Sequence, residues 1–213
     1  MKKDLTEMVF ILDRSGSMGG LEEDTIKGFN DFVSRQKELK GEAILSTILF
    51  DHDFEVLHNR VDLHFVKRMT HKDYYTRGTT ALLDAIGRSI QKIISVHKSL
   101  REDKPEKTVF VITTDGMENA STEFSAKQIR SLVQKQTEMY GWEFIFLGAN
   151  IDALEVARDY GFKASRAANF HSDKEGTALN YKVIHEAVND LRMNKKINDD
   201  WKDEIDNDFA KRK

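Results

Sequence analysis

The sequence predicts an α/β protein: a mostly parallel, doubly wound sheet with helices on both faces and one antiparallel strand at its edge. Three observations carry this expectation. Short apolar runs rich in β-branched and aromatic residues alternate with stretches whose apolar residues recur at helical spacing. The first run, Met8 to Leu12, is apolar at every position, as a strand buried on both faces must be. Between the second and third runs stand only Asp51-His52-Asp53, too few residues for a parallel crossover, so those two strands pair antiparallel.

The elements follow in order. After the Met8–Leu12 strand, Gly16, Gly19 and Gly20 permit a sharp turn. Ile26, Phe29 and Val33 then mark one face of a helix over about residues 21–39. Glu42–Phe50 and Phe54–Leu57 form the antiparallel pair, and residues 58–75 carry no clear pattern. Leu82, Ile86, Ile90, Ile93, Ile94 and His97 trace a helix over about 81–99, with His97 at the edge of its apolar face. Pro105 precedes a strand over Lys107–Thr114. Ser125 and Gln128 form a capping box for a helix that Gly141 closes. Trp142–Leu147 is the next strand, Asp152 caps a short helix ending at Gly161, and Ser165–Phe170 is a last short strand. Leu179, Val183, Ala187 and Leu191 mark the final helix of a domain spanning 5–193. In the charged segment 194–213, Ile197, Trp201, Ile205 and Phe209 recur every four residues, one apolar stripe on a helix. Such a helix either docks on its own domain or lies in a partner's groove.

Chemistry concentrates where apolar strands end. Asp13-x-Ser15-x-Ser17 places an acid and two hydroxyls at the carboxyl end of the first strand, all on one side if the segment stays extended. Arg77-Gly-Thr-Thr80-Ala runs directly into a helix, and Thr114-Asp115-Gly116 ends another apolar strand. Oxygen ligands converging from several loops suit a hard divalent cation.

These three pieces, in this order, resemble the metal-ion-dependent adhesion site of von Willebrand factor A (VWA) domains, the family that includes integrin I domains. The resemblance covers about residues 5–193 and implies a Rossmann-like sheet with the metal at its carboxyl edge. It implies Asp13, Ser15, Ser17, Thr80 and Asp115 as metal residues. The cation would be Mg²⁺ or Mn²⁺ rather than Ca²⁺, and an exposed Asp or Glu of a partner protein would complete its coordination. The second loop departs from the family's frequent Gly-Gly-Thr, with Thr79 standing where the second glycine would be. Aligning Ala81-Leu82 and Asp84-Ala85 with the family selects Thr80, with Thr79 as the alternative. Asn119 reads as a loop or cap residue. Tyr74, Tyr75, Gly148 and Asn150 are expected on the rim of a partner-binding surface.

Two other functions use the same cation: a metal-assisted hydrolase, and a domain whose metal only stabilises the fold. Catalysis has little support in the sequence. Ser15-Gly16-Ser17-Met18-Gly19 lacks the first glycine of a nucleophile elbow, and no phosphate-binding glycine loop occurs. Asp51-His52-Asp53 reads as a hairpin turn rather than a ligand set. A net charge of −3, from 33 basic and 36 acidic residues, gives no field favouring nucleic acid or an anionic membrane. Cysteine is absent, which removes disulfides, zinc-thiolate sites and thiol catalysis together. No apolar stretch approaches the roughly 18–20 residues that span a bilayer, and Met1–Glu7 has no apolar core of a signal peptide. The expected setting is therefore cytoplasmic.

Overall fold

A computed structural model of the chain describes residues 1–100, 103–194 and 196–212. Six strands, β1 (Lys2–Asp13), β2 (Glu42–Phe50), β3 (Phe54–Asp62), β4 (Pro105–Thr114), β5 (Glu143–Gly148) and β6 (Ala167–Asn169), form one sheet in the order β3-β2-β1-β4-β5-β6. All neighbours are parallel except β2 and β3, which pair antiparallel at the edge. Among the described residues no helix is long and apolar enough to cross a membrane.

Alternation along the central strands builds two core layers. Met8, Phe10 and Leu12 of β1 and Val109 and Val111 of β4 face one layer, which is completed by helices α1 (Glu22–Lys37) and α5 (Lys174–Asn194). Val9, Ile11, Phe110 and Ile112 face the other, beneath α2 (Leu82–Leu100), α3 (Ala126–Tyr140) and α4 (Ala153–Tyr160). Each strand residue between them is buried, so the strands carry no polar face.

The segment without a sequence pattern, 58–75, resolves into the second half of β3, a 3₁₀ turn at Leu63–Phe65 and an ordered loop. Its alternation is hidden because β3 changes register against β2 near His58, and Arg60 takes a left-handed φ of 51°. The final strand is shorter than expected, only Ala167–Asn169, because residues 164–166 form a 3₁₀ turn.

The charged C-terminal stretch packs on the first layer. Helix α6 covers only Asp203–Lys211, so Ile197 and Trp201 precede it, yet both are buried with Ile205 in the layer of α1 and α5. Trp201 Nε1 donates to Ser165 O at 2.7 Å, and Lys202 Nζ donates to Ala167 O at 2.9 Å. Arg166 Nη2 donates to Ile197 O at 3.0 Å. These bonds tie the stretch to the beginning of β6. Ile205 is 1% exposed, so Ile205→Ala should cost about 2–4 kcal/mol through lost burial and a residual cavity. Urea unfolding of the full chain measures this, and a cost under about 0.5 kcal/mol would mean the helix does not hold to the core in solution.

Candidate metal centre

In a doubly wound sheet the chain leaves in opposite directions at one point, and the loops there part to leave a crevice at the carboxyl edge. Here that point lies between β1 and β4, where Leu12 pairs with Thr113. Asp13 and Asp115 emerge on its two sides.

Asp13 is fully buried and its carboxylate is held from two directions. Oδ1 accepts the Ser15 amide at 2.7 Å, and Oδ2 accepts the Thr114 hydroxyl at 2.6 Å. Its own carbonyl accepts the Tyr74 hydroxyl at 2.5 Å. Burial pushes the Asp13 carboxyl up to about 6 against the pull of the Thr114 and Ser15 hydrogen bonds, and the Asp115 charge adds to the rise. A cation at this point would act in the opposite sense.

Hydroxyls gather in front of it. The Ser15 and Ser17 Oγ atoms lie 3.0 Å apart. A Cβ added to Gly116 would stand 3.1 Å from Ser17 Oγ and 3.5 Å from Thr80 Oγ1, so all three loops meet around that glycine. Thr80 is buried at this meeting point, whereas Thr79 faces solvent. Asp115 is buried as well; its Oδ2 accepts the Ser172 hydroxyl at 3.0 Å, while its Oδ1 has no hydrogen-bond partner among the described residues. A buried carboxylate oxygen without a partner is costly unless a cation or water satisfies it. The donor set of three neutral hydroxyls and two carboxylates fits a hard divalent ion.

The loops are stapled to each other through the main chain. Gly16 N donates to Gly78 O at 3.1 Å, and Arg77 N donates to Arg14 O at 2.9 Å. Thr80 N donates to Asn119 Oδ1 at 2.9 Å, and Asn119 N returns a bond to Thr80 O at 3.1 Å. Asn119 therefore fixes the threonine loop on the β4–α3 loop rather than facing the hydroxyls itself.

The expected rim needs correction. Tyr74 is 0% exposed and props Asp13 from within the core, so it offers no contact surface. Gly148 is also buried, with Ile151 and Ala153 against its Cα. Tyr75 is 44% exposed beneath the guanidiniums of Arg14 and Arg77, and Asn150 is exposed with Nδ2 donating to Asp115 O at 3.3 Å. The sequence reading gave no role to Thr114 or Ser172. Thr114 stands next to Asp115 on a central strand, and Ser172 follows β6 on the same carboxyl edge; only those positions signal them.

Asp51, His52 and Asp53 bring ligand atoms within 4.8 Å of one another. Their carboxylates are nevertheless committed to arginines. Asp51 Oδ2 accepts Arg14 Nε at 2.8 Å and Arg77 Nε at 2.9 Å, and Asp53 Oδ2 accepts Arg77 Nη2 at 3.0 Å. Burial opposes the Asp51 charge, but the Asp53 amide and the two guanidiniums prevail and hold its carboxyl below the ordinary range. The triplet is a hairpin turn with ion pairs. His97, on the far side of the sheet, is buried with Nε2 2.6 Å from Glu7 Oε2.

No family model and no curated protein sequence matches the chain significantly. Solved structures do match. The PilB minor pilin from Streptococcus sanguinis aligns with a TM-score of 0.62 at 11% identity, over 86% of this chain and 61% of that one. The von Willebrand factor type A protein from Catenulispora acidiphila aligns with a TM-score of 0.59 at 14% identity, over 85% of this chain and 42% of that one. The fold is that of a VWA domain. Manganese-loaded TRAP protein from Plasmodium vivax aligns at 0.58 and 16% identity, over 83% of this chain and 72% of that one. The chain thus spans about three fifths of the pilin and less than half of the Catenulispora protein.

Asn119→Ala leaves the partly buried Thr80 amide without an acceptor and should cost the domain about 1–2 kcal/mol, while Asn119→Asp restores most of it. Urea midpoints of the two variants provide the comparison; equal losses would place the effect elsewhere than in that bond.

Proposed function

We propose that this VWA domain binds a partner protein through a divalent cation held by Asp13, Ser15, Ser17, Thr80 and Asp115. The observation that carries the reading is the buried Asp115 Oδ1, which lacks a partner beside the gathered hydroxyls. Mg²⁺ or Mn²⁺ is the ion of choice for such a set. When bound, it supplies an electrophilic centre for an acidic side chain of the partner. Neutral hydroxyls leave most of the cation's charge uncompensated, which is what an anionic partner requires. The residues of this chain do the positioning. Thr114 and the Ser15 amide orient Asp13, Ser172 orients Asp115, and Asn119 holds Thr80. Binding rather than hydrolysis is favoured because the Ser15 and Ser17 hydroxyls bond each other, and among the described residues no histidine or lysine bonds either of them. The cytoplasmic setting expected from the sequence belongs to the same proposal.

Calorimetric titration with Mn²⁺ tests the ligand set. Asp13→Ala and Ser17→Ala should each abolish measurable binding, and Thr80→Val should weaken it more than Thr79→Val. Unchanged binding in the first two would refute the site, and the reverse order of the threonines would shift the loop by one residue.

Partner binding is tested separately. A complex isolated in Mg²⁺ should dissociate in chelator, re-form when Mg²⁺ is restored, and fail with Asp115→Ala although that variant remains folded by circular dichroism. A complex indifferent to chelator would move the binding surface away from the metal.

A further inference from the structure

A second cavity lies at the opposite edge of the sheet from the metal centre. Lys104 and Trp142 directly precede β4 and β5, so they stand at the amino edge, whereas Asp13 and Asp115 stand at the carboxyl edge. The last turns of α2 and α3 border this edge, and together they enclose about 240 Å³. Ile94, Leu132 and the Trp142 ring make the interior apolar. The indole is held in place from the core side. Phe110 stacks on it with ring centroids 5.4 Å apart, and His97 stands nearly perpendicular to it at 5.3 Å.

Two polar groups on these walls lack partners. Gln136 is 3% exposed, and its main-chain carbonyl accepts the Trp142 amide at 3.2 Å, which fixes it beside the cavity. Its side-chain amide makes no hydrogen bond among the described residues, and it borders the cavity rather than being sealed in the core. The indole N–H of Trp142, a residue 4% exposed, has no partner among the described residues either, whereas that of Trp201 donates to Ser165 O. Buried groups of both kinds normally find one. The charge around them has one sign. Lys98, Lys104 and Lys135 line the cavity without an ion pair among the described residues, and no described aspartate or glutamate lines it.

We propose that this cavity binds a small aromatic anion. Its ring lies against Ile94, Leu132 and the rings of Trp142 and Tyr140, and its carboxylate, sulfonate or phosphate accepts from the Gln136 amide among the three lysines. Each feature selects one part of such a molecule. The apolar walls require an apolar body, which an inorganic anion lacks. Unpartnered donors and uncompensated cations require an anionic acceptor, which a neutral hydrocarbon lacks. The lysine stems are long enough to bring their charges to the mouth while the methylenes cover its sides. Cavities that take drug-sized ligands run from about 300 to 1,000 Å³, so this one suits a single ring system. The site stands apart from the metal centre, and neither reading depends on the other.

The two tryptophans of the chain provide the test. In the ¹⁵N-labelled full chain, titration with 2-naphthoate should shift the Trp142 indole resonance saturably and leave that of Trp201 in place. Two relatives of the probe separate its parts: 2-naphthalenemethanol keeps the ring without the charge, and hexanoate keeps the charge without the ring. Each should bind at least about tenfold more weakly than 2-naphthoate. Lys135→Glu, at an exposed position without an ion pair, keeps the fold and should weaken 2-naphthoate about fivefold. Gln136→Leu, checked for fold by circular dichroism, should weaken it as well. Equal affinity for the alcohol or for hexanoate overturns the assignment of the ligand class. No shift of the Trp142 indole at millimolar 2-naphthoate, equal shifts of both indoles, or an affinity indifferent to both substitutions overturns the site.

Discussion

The loop edge of this domain is organised around the accommodation of one carboxylate. Asp13 ends a central strand whose neighbours on both sides are largely apolar and buried, so its charge has left water, and among the described residues no lysine or arginine pairs with it. The fold answers with hydrogen bonds. The Ser15 amide and the Thr114 hydroxyl take the two carboxylate oxygens, and Tyr74 takes the main-chain carbonyl. Each of those donors comes from a different loop or strand, so holding Asp13 also fixes the positions of β1, β4 and the segment before the threonine loop. The same contacts fix the start of the turn in which the Ser15 and Ser17 hydroxyls meet. Structure and prospective function thus depend on a single buried group.

The next residue shows how the two sides of the strand divide the work. Arg14 is as buried as Asp13 but turns toward β2, where it meets Asp51 at 2.8 Å and Glu55 at 2.8 Å. Replacing one member of such a pair costs more than replacing both, because the survivor stays buried and unpaired. With Arg77 on the same Asp51 carboxylate, the acids of the hairpin are neutralised in place. Among the described residues the two acids at the switch point have no such arginine. Charge is therefore balanced by arginines at Asp51, and at Asp13 and Asp115, the acids proposed to take a cation, it is not. Side-chain alternation across one peptide bond separates a structural ion pair from a candidate ligand set.

Much of this was legible in the sequence because the signals are local. The Met8–Leu12 run, the capping box at Ser125 and Gln128, and the three-residue turn at 51–53 each specify an element without long-range information. The antiparallel pairing of β2 and β3 follows from that turn's length alone. Asp13, Ser15, Ser17 and Asp115 sit at or just after strand ends and Thr80 just before α2, so topology brings them together once the strand order is known. What escaped depends on register and on depth. The irregular pairing near His58 masks the alternation of β3. Tyr74 looks like any loop tyrosine until the core closes over it. The bond from Ser172 to Asp115 joins residues 57 positions apart, with no motif linking them.

The C-terminal stretch is connected to this edge by packing rather than by sequence. Phe209 of α6 stacks on His171 with ring centroids 4.8 Å apart, and Arg212 Nη1 donates to Asp173 Oδ2 at 2.6 Å. Between those two anchored residues lies Ser172, the donor to Asp115. Asp173 in turn accepts the Gly176 amide with its other oxygen, which fixes the start of α5. The loop after β6 is thus held on one side by α6 and on the other by α5. The Asp115 carboxylate rests on a support that extends to Arg212. A segment rich in charge therefore contributes Ile197, Trp201 and Ile205 to the core and steadies the loop behind a candidate metal acid. Its apolar stripe faces inward because burying those side chains outweighs the entropy of ordering a short charged helix.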